Sequence, residues 1–406
     1  MRMRDKGFKG VLRGTQRRRV RRKAPAGSRR GSGKALGVEL RTDLALEEKE
    51  RFPGDGGEIN GVSLREWQPK GQQIKISEVR ILNERGARAM GKEMGVYLTV
   101  EAQGMEKKGE EFQEKLAGEL AEQIRKLIRG DGEKGSGRQL QTREGKEGLQ
   151  GKESEKEKKG RQESQKEEGS GVMGRKRMPE RVLVVGLGNL YVTPDSLGPR
   201  VLQHLQVTRH YDGQYGKGFL KEQGMASISA IAPGVMAQTG METAEILKGV
   251  VEETRPELVV AIDALAARSV HRLGCTIQLS DTGIHPGSGV GNHRSGLTRK
   301  TLGVPVLAVG VPTVVGAAAI VQDTIGAMVK ALELGKDTKG AGGYLGSLGP
   351  DEQYALIREL LEPEFGPMFV TPPDIEERVE QLGRVIGSAL EQAFHYGGGA
   401  GADLNA

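Results

Sequence analysis

The residues best suited to chemistry lie in three loops, each of which follows a predicted β-strand. They carry carboxylate, amide or imidazole groups and are Asn189, Asp195, Asp263, Asp281 and His285. Because the carboxyl ends of neighbouring strands meet at one edge of a sheet, we expect the side chains of Asp195, Asp263, Asp281 and His285 to lie close together.

Two facing carboxylates are what acid–base hydrolysis requires, with one held protonated by its neighbour and the other ionised to activate water. Asp195 and Asp263 form such a pair. The same pair, joined by His285, would also suit a divalent metal ion. Both aspartates also suit a structural role in a turn or as a helix cap. Residue types alone leave these alternatives open.

Short motifs near these loops are incomplete signs of other protein classes. Gly186 and Gly188 begin like a dinucleotide-binding fingerprint, yet Tyr191 stands where its third glycine belongs. Residues 281–283 (Asp-Thr-Gly) match the active-site triplet of pepsin-like proteases, which need two copies on an all-β fold. This chain has a single copy and an α/β pattern, so neither class fits.

The positioning elements are apolar strands that alternate with helices from residue 181 onward. Continuous apolar runs are typical of strands that are covered on both faces. The pattern therefore predicts an α/β fold with three α/β/α layers around a mostly parallel central sheet, of the phosphorylase- or hydrolase-like kind.

The charge of the 406-residue chain is concentrated at its N-terminus. Residues 1–34 contain 14 Lys or Arg and one acid, a net of +13, so the remainder sums to +7 − 13 = −6. Such a basic arm attracts polyanions such as nucleic acid. The single cysteine, Cys275, excludes an intramolecular disulfide and a Cys-based metal cluster. No apolar run is long enough to span a membrane, so we expect a cytosolic-type protein.

Several collinear segments resemble the germination protease (spore protease) family of endospore-forming bacteria. They include Gly186-Leu187-Gly188-Asn189, Val192-Thr193-Pro194-Asp195, Ala261-Ile262-Asp263-Ala264-Leu265-Ala266-Ala267-Arg268-Ser269, Ser280-Asp281-Thr282-Gly283-Ile284-His285-Pro286-Gly287-Ser288 and Gly310-Val311-Pro312-Thr313-Val314-Val315. The resemblance runs from about residue 40 to residue 395, apart from residues 130–179.

The resemblance implies an endopeptidase that starts the degradation of small acid-soluble spore proteins during germination. It implies a homotetramer in the cytoplasm of the forespore or spore core, without a cofactor. It places the catalytic carboxylates of an atypical aspartic peptidase at Asp195 and Asp263. We expect Asn189, Asp281 and His285 to bind substrate or support the site. The family's fold is similar to that of hydrogenase maturation proteases, whose matching acids contact nickel, so the metal alternative of Asp195, Asp263 and His285 stays open.

The family is made as a zymogen that removes its own propeptide, in a segment that matches Arg41-Thr42-Asp43-Leu44-Ala45. The expected cleavage site is Asp43–Leu44, where an acidic residue precedes an aliphatic and a small one, as in the family's substrates. In the alternative interpretation, Asp43 caps a helix over residues 44–51.

The expected organisation has five segments. They are a basic disordered extension or propeptide at 1–36, the N-terminal part of the peptidase domain at 37–129, a charged disordered low-complexity insert at 130–179, the α/β catalytic core at 180–396 and a flexible tail at 397–406. A rival of a different class is a nucleic-acid-binding protein that uses the basic arm and for which the α/β domain is only a scaffold.

Overall fold

The computed structural model describes seven stretches of the chain. These are residues 42–51, 59–69, 73–105, 108–130, 177–288, 294–334 and 349–396. The predicted extension at 1–36, all but the ends of the predicted insert at 130–179 and the predicted tail at 397–406 lie outside the described residues.

The strands of the described residues form one sheet. In chain order they are β1 (Val62–Trp67), β2 (Lys75–Ile81), β3 (Gly95–Glu101), β4 (Arg181–Gly186), β5 (Ser227–Ile231), β6 (Leu258–Ala267), β7 (Thr276–Ser280), β8 (Val306–Gly316) and β9 (Phe369–Val370). The spatial order is β1-β2-β3-β7-β8-β6-β4-β5, and the short β9 pairs with β8.

The α-helices of these stretches are distributed along the whole chain. They are α1 (Ala45–Glu50), α2 (Glu84–Met90), α3 (Glu110–Arg129), α4 (Leu197–Gln203), α5 (Tyr211–Tyr215), α6 (Phe219–Glu222), α7 (Met236–Thr239), α8 (Thr243–Thr254), α9 (Arg299–Leu302), α10 (Ala317–Leu334), α11 (Pro350–Phe365) and α12 (Ile375–Phe394).

Helices cover both faces of the sheet. On one face α3, α4 and α12 pack against strand residues such as Val184 and Val260. On the other face α8, α9, α10 and α11 pack against Val185 and Ala261. Since successive strand residues point to opposite faces, β4 and β6 must be apolar at nearly every position. This is why their sequences read as continuous apolar runs.

The predicted α/β fold, with helices on both faces of a central sheet, is confirmed. The sheet itself is mixed. The predicted parallel arrangement holds for β5, β4, β6 and β8, whereas β1, β2, β3 and β7 continue the sheet beyond β8 with antiparallel pairing. The connection from Trp67 at the end of β1 to Lys75 at the start of β2 is too short for the crossover that a parallel pair needs, so these two strands run in opposite directions.

Strand β6 is longer than its apolar run indicates. It continues past Ile262 to Ala267 because β8 runs alongside it, with an irregularity between Leu265 and Ala266. Asp263 therefore lies inside a strand rather than in the loop after it, and the helix-cap interpretation of Asp263 is wrong. Among the described residues, no helix is both long and apolar enough to cross a membrane.

Candidate active site

Asp263 lies in the middle of β6, on the sheet face that α8 and α10 cover. Its side chain is 5% exposed, and its Oδ1 accepts a hydrogen bond from the Ala264 N–H (3.0 Å). Burial raises the pKa of this carboxyl well above its ordinary value, and the nearby carboxylates of Asp195 and Asp43 raise it further. Asp263 therefore holds a proton at pH values at which an exposed aspartate is ionised.

Asp195 approaches from the loop that follows β4. The Asn189 N–H donates to its Oδ2 (2.9 Å) and to its main-chain oxygen (3.0 Å). Glycine is required at position 188 because φ is +101° there and a Cβ would overlap the Asp195 main-chain oxygen. This loop carries the carboxylate close enough to Asp263 for the two to interact electrostatically.

Opposing influences act on the pKa of Asp195. Burial raises the pKa of its carboxyl, while the Asn189 hydrogen bond and the Arg294 guanidinium lower it. Arg294 also opposes the rise in the pKa of Asp263. The more deeply buried Asp263 is thus the carboxyl that more readily keeps its proton, and Asp195, which accepts the Asn189 hydrogen bond, is the one that more readily ionises.

Asp43 is the third acid beside Asp263 and precedes the predicted processing bond. Its N–H donates to the Ala266 oxygen (3.0 Å), and the Ala266 N–H donates to its Oδ2 (2.9 Å). The Ser288 hydroxyl donates to its Oδ1 (2.6 Å). The segment is therefore paired with β6, and the Asp43 carboxylate is bound by two donors.

Two side chains bind the main-chain oxygen of Asp43, which is the carbonyl oxygen of the Asp43–Leu44 bond. Lys92 Nζ donates to it at 3.0 Å and Gln278 Nε2 at 3.1 Å. Gln278 Oε1 also accepts from the Ala45 N–H (2.8 Å), so one amide binds the main chain on both sides of Leu44. Leu44 itself is fully buried in the apolar layer beneath α8 and α10.

Helix α1 begins at Ala45, and Leu44 occupies the N-cap position without any side-chain cap hydrogen bond. The alternative interpretation, in which Asp43 caps a helix over 44–51, is therefore wrong. The Asp43 carboxylate instead contacts β6 and the loop after β7, which leaves its main-chain carbonyl to Lys92 and Gln278.

A second acid of the same segment, Glu47, is bound four residues further along. Its carboxylate oxygens accept from the N–H groups of Arg268 (2.8 Å) and Ser269 (3.0 Å), and Arg272 lies nearby with Nε at 3.8 Å. The Thr42 hydroxyl also donates to Glu47. Residues 43–47 are thus held along the end of β6 by the carboxylates of Asp43 and Glu47.

The supporting residues predicted from the sequence take different positions. Asn189 positions Asp195 through its N–H, while its side-chain oxygen accepts from Tyr191 N–H and Gln238 Nε2. Asp281 Oδ1 accepts from the Val96 N–H on β3 (2.8 Å), so its contact is within the antiparallel half of the sheet.

His285 is exposed and lies against Gly296, where a Cβ would come within 2.6 Å of its ring. Within the stretches that the structure describes, no three His, Cys, Asp or Glu side chains form a group that could hold a metal ion. The structure thus brings Asp195 and Asp263 together, with Asp43, and leaves His285 at the surface.

Sequence patterns do not single out Lys92, Gln278 or Arg294. Gln278 carries the clearest signal, since it is a polar residue in the middle of the buried strand Thr276–Ser280. Lys92 and Arg294 belong to no motif, and only the fold brings them to the site. Ser288 follows Gly287 in the loop after β7, three residues beyond the predicted site residue His285.

Comparison with known proteins identifies the family. The family model described as germination protease matches residues 38–145 and 133–342. The germination protease of Caldanaerobacter subterraneus subsp. tengcongensis is 41% identical over 361 residues, which is 88% of this chain and 95% of that protein. That of Bacillus subtilis is 36% identical over 391 residues, covering 88% of this chain and 93% of that protein.

Among solved structures, the NiFe hydrogenase maturation protease HycI of Thermococcus kodakarensis matches 52% of this chain and 93% of its own, with 18% identity and a TM-score of 0.26. The family model and the germination proteases, which match most of the chain, bear out the resemblance predicted from the strand-end segments. The chain therefore belongs to the germination protease family and is a protease.

Proposed function

We propose that this protein is a self-processing endopeptidase that cleaves peptide bonds after acidic residues with Asp195 and Asp263, and that its first substrate is its own Asp43–Leu44 bond. One observation carries the proposal: the Asp43 carboxylate is bound by the Ala266 N–H and the Ser288 hydroxyl next to the buried Asp263. A peptide segment with an acid before the cleavage site thus already occupies the site.

The proposed reaction needs one ionised and one protonated carboxyl group. Asp195 takes a proton from a water molecule, whose oxygen attacks the Asp43 carbonyl carbon. Asp263 gives its proton to the Leu44 nitrogen as the carbon–nitrogen bond breaks. The products are a new carboxylate at Asp43 and a free amine at Leu44, and no covalent enzyme intermediate forms. The raised pKa of Asp263 supports its assignment as the acid.

The same site would then act on separate proteins. The substrates proposed from the family resemblance are small acid-soluble spore proteins, degraded during germination by a homotetramer in the spore core. The contacts of residues 42–47 support a preference for an acid, then an aliphatic residue, then a small one, because Leu44 and Ala45 are both fully buried. A bulky or charged residue at either place would not fit without displacing the core.

The test is cleavage of a purified small acid-soluble spore protein by the full chain, with and without a chelator. Cleavage after acidic residues that persists in the chelator supports the carboxylate mechanism. Loss of activity in the chelator, with recovery on adding a divalent metal, would instead favour the metal alternative with Asp195, Asp263 and His285. DNA binding without any cleavage would favour the nucleic-acid-binding alternative.

A further inference from the structure

The carbonyl oxygen of the Asp43–Leu44 bond is held in an unusual way. Its two donors are both side chains, the ammonium of Lys92 and the amide of Gln278, at 3.0 and 3.1 Å. Gln278 is only 8% exposed, and Lys92 is half-buried. Lys92 Nζ also donates to the preceding carbonyl oxygen, that of Thr42, at 3.1 Å. A cation is thus fixed against two successive carbonyl groups of one segment.

The donors and the carboxylates approach this bond from different parts of the sheet. Gln278 belongs to β7, and Lys92 follows α2, so both come from the antiparallel half of the sheet. Asp263 lies on β6 and Asp195 follows β4, both in the parallel half. Asp43 interacts with both groups, since Lys92 and Gln278 donate to its main-chain oxygen and its carboxylate raises the pKa of Asp263. Hydrolysis of an amide uses both kinds of group, one for proton transfer and one to donate to the carbonyl oxygen.

We propose that Lys92 and Gln278 form the oxyanion site of this enzyme, an inference that rests on the proposed cleavage after Asp43. When water oxygen bonds to the Asp43 carbonyl carbon, the electron pair of the C=O double bond moves to the oxygen. Lys92 and Gln278 donate to the negative charge that forms there. The electron pair re-forms the C=O double bond when the bond from carbon to the Leu44 nitrogen breaks and that nitrogen takes its proton from Asp263.

Each donor has a distinct part in this site. The Lys92 ammonium offers a full positive charge in a partly buried place, where it interacts more strongly with a developing anion than it would in water. The Gln278 amide donates to the carbonyl before the cleaved bond and accepts from the Ala45 N–H after it. It therefore fixes the register of the peptide, so that the bond after the acid faces the carboxylates. A separate substrate would be held in the same way.

The test compares variants that remove one donor each. Lys92→Met removes the ammonium and keeps a chain of similar length. Gln278→Glu keeps the acceptor for the Ala45 N–H but, when ionised, cannot donate to the carbonyl oxygen. Loss of one oxyanion donor slows an enzyme by about 100- to 1000-fold, so we expect self-cleavage of the full chain to slow by that factor in each variant. Lys75→Met is the matched control. It removes a lysine of β2 that pairs with Glu66 of β1, and the variant should process at the wild-type rate.

Cleavage of a separate peptide with the sequence of residues 41–51 gives a second measurement. We expect the variants to lose kcat with little change in KM, because the donors act on the transition state more than on the bound substrate. Lys92→Arg keeps a cationic donor and should recover part of the lost kcat. Thermal unfolding of each variant shows whether the fold is kept.

The outcomes separate this inference from the proposed function. If Asp263→Asn fails to process while Lys92→Met and Gln278→Glu process at the wild-type rate, the oxyanion assignment is wrong and the carboxylate mechanism stands. A folded Lys92→Arg that stays as slow as Lys92→Met, with a raised KM in both, would also overturn the assignment, since it would indicate a substrate-binding role. If the wild-type chain never cuts at Asp43–Leu44, the proposed self-cleavage itself is wrong.

Discussion

Asp263 and Gln278 lie in the same cross-strand row of the sheet, one on each side of Gly310. Asp263 of β6 and Gln278 of β7 are both register partners of Gly310 on β8, so the two side chains emerge on the same face, about 10 Å apart. Gly310 has no side chain between them, and a Cβ there would overlap Leu265. Gln278 binds the carbonyl oxygen of the Asp43–Leu44 bond, and the Asp43 carboxylate lies near enough to Asp263 to raise the pKa of that carboxyl.

The first prediction is that Asp263→Asn abolishes both self-processing and cleavage of separate substrates. Asn is nearly isosteric with Asp and can accept the same Ala264 hydrogen bond, but it cannot give a proton to the leaving amine. Asp195→Asn should behave likewise, because it removes the base. The measurement is turnover of a peptide substrate, with circular dichroism to verify the fold.

The matched control for these variants is Asp374→Asn, at an aspartate that pairs with Arg378 at the start of α12. It removes one carboxylate that contacts neither Asp195, Asp263 nor residues 42–47 in the hydrogen bonds and ion pair described for it, and should leave turnover unchanged. Wild-type turnover by Asp263→Asn would contradict the catalytic role of Asp263 and leave this buried carboxyl with a structural role only.

A second prediction concerns recognition of the acid before the cleaved bond. Ser288→Ala removes one of the two donors to the Asp43 carboxylate, and a hydrogen bond to a charged group contributes about 1.5–3 kcal/mol. We expect self-processing to slow by roughly 10- to 100-fold, as followed by mass spectrometry. Ser229→Ala, on β5, is the control and should have no effect.

A double-mutant cycle tests whether Ser288 acts through the acid. In the Asp43→Asn protein, Ser288→Ala should slow self-processing much less than it does in the wild-type protein, because the negative charge that the hydroxyl binds has been removed. Equal slowing of self-processing in both backgrounds would mean that Ser288 supports the loop and does not recognise the acidic side chain.

Part of this site could be predicted from the sequence, because local patterns carry the information. Apolar strands predict the α/β core, and the polar residues after them identify Asp195 and Asp263 as a pair. The position of Asp263 inside β6 could not be predicted, since it depends on how far β8 runs beside it. Lys92 and Gln278 could not be predicted as partners either, because they are brought together by the long-range pairing of β3 with β7, which no local motif reveals.

A third prediction uses the pH dependence of stability at Asp281. Burial raises the pKa of this carboxyl from 3.8 to about 7, while Arg80 and the Val96 N–H oppose the rise. Between these values the folded protein keeps a proton that the unfolded chain has released. Its contribution to stability is therefore full below pH 3.8 and is lost as pH rises to about 7, by up to about 4 kcal/mol.

Asp281→Asn removes this titration and keeps an acceptor for the Val96 N–H. Urea unfolding of both proteins at pH 4 and pH 8 gives the comparison. We expect the variant to gain stability relative to the wild-type protein on going from pH 4 to pH 8. A difference that does not change with pH would mean that Asp281 is ionised in the folded protein throughout this range.

The last prediction concerns the pH at which the chain processes itself. Asp263 must be protonated to act as the acid, and its raised pKa keeps it so at mildly acidic pH. Asp195 must be ionised to act as the base, so processing should also fall at strongly acidic pH. Incubation of the full chain near pH 5–6 should therefore yield a mature chain that begins at Leu44, while Asp263→Asn stays full-length. Mass spectrometry of the N-terminus identifies the cut. A new terminus elsewhere would reject Asp43–Leu44 as the processing bond, and cutting of the Asp263→Asn protein would reject self-cleavage through this carboxyl group.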